Sequence, residues 1–287
     1  MGSGSDYSDT SRNNSTSYTH PQETNLLNVH KAMDYNSVGQ PVLRTVGGDI
    51  YNSINLPAGM SDVHKFGAVR QMSVNTTGTI WDRNDTIYPW ATVDAGITVT
   101  VQDVLYNNEA SIQTGDDGGT VTIIGLDGDY EPAEETVTLS SGTATGSQTF
   151  KRIFRAYFTA ASGFNPNTNR ILIKTGSTVV AQITENVGQT LMAIYTVPAG
   201  KTAYLLKGDT TVAANADATI NMFVRYGGAG SFRIGHTAEV AGVGGQYTYD
   251  FPIPNELPEK TDIDVRATVR SNNARVTAVF DLLFVDN

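Results

Sequence analysis

Apolar and polar positions alternate along most of this chain. The pattern is densest at residues 189–206, Gln-Thr-Leu-Met-Ala-Ile-Tyr-Thr-Val-Pro-Ala-Gly-Lys-Thr-Ala-Tyr-Leu-Leu. This stretch predicts two strands joined as a hairpin by a tight Pro198-Ala-Gly-Lys201 turn. Pro198 presets φ there, and Gly200 is free to take φ > 0. In the first strand Leu191, Tyr195 and Val197 point one way while Met192 and Ile194 point the other. A strand apolar on both faces belongs inside a packed structure, covered on both sides.

Elsewhere the period is that of strands. Residues 66–76, 79–81, 95–104, 120–124 and 135–139 form one series, punctuated by Asp116-Asp-Gly-Gly119 and Asp127-Gly-Asp-Tyr-Glu-Pro132 turns. Within 95–104 the alternation is strict, with Ile97, Val99 and Val101 on one face. A Ser-Ser-Gly-Thr-Ala-Thr-Gly-Ser stretch at 140–147 reads as a linker. A second series follows at 150–158, 170–175, 178–184, 189–197, 202–211, 217–226, 231–237, 246–251, 261–270 and 275–285. The last of these sets Val276, Ala278, Phe280, Leu282 and Phe284 on one side. Helical spacing is credible over 24–35, where Thr24 or Asn25 supplies a cap and Leu26, Val29 and Met33 share a face. Residues 1–24 are a polar arm too poor in apolar groups to order itself.

The fold class expected is therefore all-β: two β-sandwich domains, the second jelly-roll-like, preceded by an extended N-terminal arm with one short helix. The expected parts are the arm (1–24), a docking helix and linker (25–62), a small acidic sandwich (63–148) and the second sandwich (149–287).

Composition narrows the function classes. The 287 residues contain no cysteine, which excludes disulfides and thiolate metal sites and makes a reducing cytoplasm the simplest place to fold. No stretch approaches the roughly 20 apolar residues of a membrane helix. The opening Met-Gly-Ser-Gly-Ser-Asp lacks the regions of a signal peptide, and Asp6 stands where myristoylation needs Ser or Thr. The net charge of −10 divides into −3 over 1–62, −9 over 63–150 and +2 over 151–287. Without a basic stripe, nucleic acid is not expected as a partner, and no membrane is expected either. The acidic middle is expected to be a solvated face rather than a steering field.

Candidate chemistry is sparse. His20, His30, His64 and His236 show no metal-ligand spacing, and no Gly-x-Ser-x-Gly elbow occurs. Asp127-Gly-Asp129-Tyr-Glu131 lacks the sixth-position Gly and distal Glu of a calcium loop and reads as a polar turn. Glu134 and Glu135 are neighbours on a strand, point to opposite faces and cannot share a glycosidase site. No catalytic residue, metal or cofactor is expected. Trp81, Tyr88 and Trp90 cluster around a turn, either as core or as an aromatic platform for a glycan or a protein.

Several segments match one group of proteins in a constant order. These are Gly188–Tyr204, Phe251-Pro-Ile-Pro254, Pro258-Glu-Lys-Thr-Asp-Ile263 and Ser271-Asn-Asn…Phe280-Asp-Leu-Leu-Phe-Val-Asp-Asn287. Upstream, His64-Lys-Phe-Gly67 and Thr122–Tyr130 with Glu135-Thr-Val-Thr138 belong to the same set. Over residues 63–287 the chain resembles structural proteins in the virions of tailed bacteriophages, especially marine ones. The resemblance implies a non-enzymatic virion protein assembled in the host cytoplasm, and it leaves head and tail both open. As a capsid decoration or stabilising protein, the chain would form a homo-oligomer, a trimer being favoured. Its partners would be the major capsid protein or other virion proteins. The arm would anchor it through Leu26, Leu27, Val29, Met33 and Tyr35. The alternative is a tail-associated receptor-binding module holding a host surface glycan on Trp81, Tyr88 and Trp90.

Overall fold

A computed structural model describes residues 33–35, 41–44, 50–51, 56, 58–163 and 165–287. The chain divides into two units, Met1–Ala58 and Gly59–Asn287. In the first, β1 (Met33–Tyr35), β2 (Pro41–Arg44) and β3 (Ile50–Tyr51) form an antiparallel sheet in that order. Met33 pairs with Leu43 and Tyr35 with Pro41. The helix expected over 24–35 is thus corrected at its C-terminal end. About 11 residues make a marginal helix alone, whereas strand pairing gives the backbone of 33–35 a partner. Of the expected anchor residues, Met33 and Tyr35 are strand residues, and Leu26, Leu27 and Val29 lie outside the described residues.

The second unit begins with β4 (Met60–Met72), β5 (Thr77–Thr79) and a single helical turn, α1 (Trp90–Val93). There follow β6 (Thr100–Leu105), β7 (Asn108–Ile112), β8 (Thr120–Leu126), β9 (Pro132–Thr138) and β10 (Thr143–Thr145). Next come β11 (Arg152–Thr159), β12 (Arg170–Thr175), β13 (Thr178–Ile183) and β14 (Ile194–Thr196). The chain closes with β15 (Lys201–Asn215), β16 (Ala218–Arg225), β17 (Arg233–Val240), β18 (Val243–Leu257), β19 (Asp262–Val269) and β20 (Ala274–Asp286). All strand pairs among the described residues are antiparallel.

Four sheets result. One runs β10-β6-β12-β13 with β7 beside β6, and another β11-β8-β9. These make the first sandwich. The second is built from β14-β19-β16-β17, with β5 beside β19, and from β18-β15-β20-β4. The all-β sandwich class read from the sequence is what the chain adopts. Burial in β20 follows its alternation, with Val276, Ala278, Phe280, Leu282 and Phe284 each at most 2% exposed.

The strand pairing does not respect a cut at 148/149. β12 and β13, expected in the second sandwich, pair in the first through β6. Conversely β4 and β5, expected in the first, pair with β20 and β19 of the second. Strand periodicity reports which face is buried but not which neighbour is paired, so sequence order alone misassigned these strands. The 140–147 stretch is likewise no free linker, because Thr143–Thr145 pairs with Thr100–Gln102.

Residues 189–206 also differ from a hairpin. β14 joins β19 in one sheet, while β15 lies between β18 and β20 in the other. The Pro198–Lys201 turn, with Gly200 at φ +68°, therefore carries the chain across the sandwich. Both faces of 192–197 are buried within this chain. β4 comes so close to this segment that a Cβ on Gly67 would stand 2.2 Å from the Ala193 amide nitrogen and 2.4 Å from the Ile80 carbonyl oxygen. That position has room for glycine alone.

Candidate functional site

The aromatic cluster read from the sequence faces inward. Trp81, Tyr88 and Trp90 are 1, 2 and 6% exposed and meet edge to face, with centroids 5.3 and 4.9 Å apart. Each polar handle is used internally. Trp81 Nε1 donates to the Thr86 carbonyl at 3.1 Å, Tyr88 Oη to the Ile153 carbonyl at 2.9 Å, and Trp90 Nε1 to Asp264 Oδ2 at 2.8 Å. A stacking platform needs an open ring face, and these three side chains offer none. The glycan site expected on Trp81, Tyr88 and Trp90 is corrected to core.

Trp90 sits in a buried lattice of charge. Asp262, fully buried, accepts from Arg152 Nε at 2.7 Å, Arg152 Nη2 at 3.1 Å, Arg225 Nε at 2.7 Å and Thr196 Oγ1 at 2.6 Å. Asp94 accepts from Arg225 Nη1 at 2.8 Å and pairs with Arg152 Nη1 at 2.8 Å. Asp264 takes Arg266 Nε at 2.8 Å. Burial disfavours the charged form of Arg152, but the bonds to Asp262 outweigh it and raise its pKa above the ordinary arginine value. Arg152 belongs to β11 of the first sandwich, and Asp262 and Arg225 belong to β19 and β16 of the second. The lattice fastens one sandwich to the other. Its charges are spent on each other, which is bracing rather than catalysis.

A different surface is left open. β17 is the last strand of its sheet and β18 the last of the facing one, so two edge strands lie side by side along one flank of the second sandwich. Across this flank His236 stands 5.9, 5.0 and 5.7 Å from the rings of Tyr247, Tyr249 and Phe251. Tyr247 and Tyr249 are parallel within 4° at 6.4 Å, and Tyr249 meets Phe251 edge-on at 4.7 Å. The ladder roofs a small cavity of about 30 Å³ floored by Ile220, Met222 and Val265. Beside it Ile234 and Ile253 are 57% and 68% exposed, the highest values among the large apolar side chains described.

The sequence explains this protrusion. Asn255 pairs with Leu205 and Asp250 with Lys207, so the four residues 251–254 stand opposite Leu206 alone. Prolines at 252 and 254 cannot donate to a ladder, and a bulge on an edge strand is where such residues are tolerated. The result lifts Ile253 into solvent. Sequence reasoning missed this surface, although alternation of Tyr247, Tyr249, Phe251 and Ile253 with polar or proline residues was a signal for it.

The remaining candidates are structural. His64 Nδ1 bonds Asp281, and no group of three His, Cys, Asp or Glu placed to hold a metal occurs among the described residues. Asp127 Oδ1 accepts from the Asp129 and Glu131 amides at 2.9 and 3.0 Å, closing the turn between β8 and β9. Glu134 is exposed while Glu135 is half-buried and holds the Ser147 amide at 2.6 Å. No helix is long and apolar enough to cross a membrane among the described residues.

No family model matches the chain, and no curated protein does. Among solved structures, the chain is similar to one from broad bean stain virus at 10% identity and a TM-score of 0.21. That match covers 67% of this chain and 85% of that one. It is also similar to a VP2 subviral particle of infectious bursal disease virus at 10% identity and a TM-score of 0.19, over 80% of this chain and 72% of that one. Scores at this level carry no argument about fold or function.

Proposed function

We propose that the chain is a non-catalytic structural subunit of a virus particle, and more finely an oligomeric decoration or accessory protein of a tailed bacteriophage. The observation that carries this reading is the open flank of the second sandwich. An edge strand that projects Ile253 and Tyr249 into solvent beside the half-buried rings of His236, Tyr247 and Phe251 is an aggregation liability on a lone molecule, and a contact surface in an assembly. The bulge is built by Phe251-Pro-Ile-Pro254, one of the segments that resemble phage virion proteins. The buried arginine–aspartate lattice supports the reading too, because it gives the two sandwiches the rigidity that a shell part requires. The covering partner is a second copy of the chain or a neighbouring virion protein such as the major capsid protein. The arm, through Leu26, Leu27, Val29, Met33 and Tyr35, is the proposed tether.

The test compares the full chain with Ile253→Asp and Tyr249→Ser. Light scattering should find the parent oligomeric and the variants monomeric. The variants should still unfold in one cooperative transition, lowered from the parent's by the stabilisation that assembly gives the folded chain by mass action. Variants should also fail to join particles assembled without the native protein. A parent chain that stays monomeric and never enters a particle overturns the proposal.

A further inference from the structure

A polar cleft of about 160 Å³ opens at the seam where β4, the loop after β5, the β6–β7 hairpin, β12 and β13 meet. The space holds several waters or one monosaccharide-sized polar group, and not an extended ligand. Three arginines line it, each from a different segment: Arg70, Arg83 and Arg170. In a chain of net charge −10, three guanidinium groups around one cleft need explaining.

Their pairing is incomplete. Arg70 Nη1 bonds Glu185 at 2.7 Å. Arg83 Nη1 and Arg170 Nη1 converge on a single oxygen, Glu109 Oε1, at 2.8 and 3.2 Å. Neither guanidinium has the two-pronged grip on a carboxylate that its geometry suits. Arg170 Nε is buried and has no hydrogen-bond partner. Glu109 reaches in from the short β7 strand with 39% of its side chain exposed, against 25% for Arg83 and 12% for Arg170, so it is the most exposed member of the trio. Three cations against Glu109 and Glu185 leave one positive charge. Asp82 on the floor does not cancel it, because burial pushes its carboxyl up to about 8 and leaves it largely uncharged at pH 7.

The other groups suit a hydroxylated ligand. The Asn84 amide lines the cleft, Gln182 being buried with its Nε2 given to the Asp82 carbonyl at 3.0 Å, and Tyr106, 46% exposed, stacks beneath the Arg170 guanidinium at 4.3 Å. Guanidinium for an acid, the Asn84 amide for a hydroxyl and an aromatic rim for a ring form a sugar-acid recognition set.

We propose that this cleft binds the carboxylate of a sugar acid, a hexuronate, on Arg83 and Arg170, with Glu109 as the internal carboxylate it displaces. The site is separate from the assembly flank, and its test does not depend on the virion reading.

The experiment titrates the full chain by calorimetry and NMR with D-galacturonate, D-galactose and inorganic sulfate. Galacturonate should bind saturably and more weakly as salt rises, galactose should not bind, and sulfate should bind at least tenfold more weakly than galacturonate. Arg170→Gln should lose at least tenfold in affinity. Glu109→Gln, which removes the competitor, should gain about tenfold, so the proposal survives even if Arg170→Gln folds poorly. No galacturonate binding at ~10 mM, well above the ~1 mM Kd of a weak site, overturns it. Equal binding of sulfate overturns the sugar-acid class, and weaker binding by Glu109→Gln overturns the displacement.

Discussion

Removing the carboxylate of Asp262 would show how firmly the two sandwiches are joined. The side chain is fully buried and takes four hydrogen bonds, three of them from Arg152 and Arg225, which are 1% and 6% exposed in their side chains. Asp262→Ala leaves two guanidinium groups inside the protein with only Asp94 to neutralise them. Breaking a buried pair by deleting one partner costs about 3–5 kcal/mol, most of it the uncompensated charge left behind. A chain of this size loses about 2–4 °C of Tm per kcal/mol, so the fall should be roughly 10 °C. Urea titration at pH 7 gives the free energy and a thermal scan gives the shift. Asp94→Asn supplies a graded control. Its carboxylate is 31% exposed and holds the outer ends of the same two arginines, so its loss should cost clearly less. Destabilisation below about 1 kcal/mol by Asp262→Ala, or equal losses from both variants, would refute the view that this lattice joins the sandwiches.

Two further perturbations probe the seam beside it. Burial pushes Asp82 from 3.8 up to about 8, against the lowering effects of the Leu191 amide, the Thr184 hydroxyl, Arg70 and Lys65. Folding therefore takes up a proton between about pH 4 and 8, and Asp82 costs more stability as pH rises through that window. Burial brings Lys65 down from 10.5 to about 7, helped by Arg155, so its cost grows as pH falls from about 10.5 to 7. Asp82→Asn keeps an acceptor for the Leu191 amide and offers an N–H to the Thr184 hydroxyl, which donates to Asp82 in the parent. It should gain on the parent progressively from pH 4 to 8, by on the order of 3–6 kcal/mol at the upper end, and parallel stability curves would contradict this. Gly67→Ala would drive a methyl into the Ala193 and Ile80 backbones and should cost about 3 kcal/mol or more in urea titration; a loss within about 0.5 kcal/mol would show that the strands can part there.

Strand existence was legible in the sequence because alternation reports burial directly, as β19 and β20 illustrate. Pairing was not. The turn at Pro198–Lys201 has the residues of a hairpin, yet nothing local distinguishes a turn within a sheet from one that crosses to the facing sheet. β7 was missed because Asn108-Glu-Ala-Ser-Ile112 alternates between exposed and half-buried positions without a run of large apolar residues. Trp81, Tyr88 and Trp90 are the same residues whether they form core or platform. What decided for core was distant: Asp264 and the Ile153 carbonyl accept their protons from 174 and 65 positions away. Conversely, the flank at Tyr247–Ile253 was legible as alternation but not as exposure, since a neighbour's absence is a property of topology.

The acidity of the middle of the chain illustrates the same difference between a count and a placement. The excess charge over 63–150 suggested a solvated face, but many of its carboxylates hold loops. Asp116 takes the Thr168 and Asn169 amides at 2.7 and 3.0 Å, and Asp117 takes those of Ser141 and Gly142 at 2.9 and 2.7 Å. Glu135 gathers Ser147 and Gln148, and Asp85 gathers Ser73 and Thr76. A carboxylate suits this work because its two oxygens can accept from successive amides without needing a donor in return. For Asp85, burial works to raise the pKa, but the Ser73 and Thr76 bonds outweigh it and hold the carboxyl below its ordinary 3.8. Its contribution is present above pH 3.8 and is lost as pH falls through the lowered value. The bonds account for these acids as parts of the fold, whereas the cleft at Arg70, Arg83 and Arg170 sets three guanidinium groups against the two carboxylates of Glu109 and Glu185.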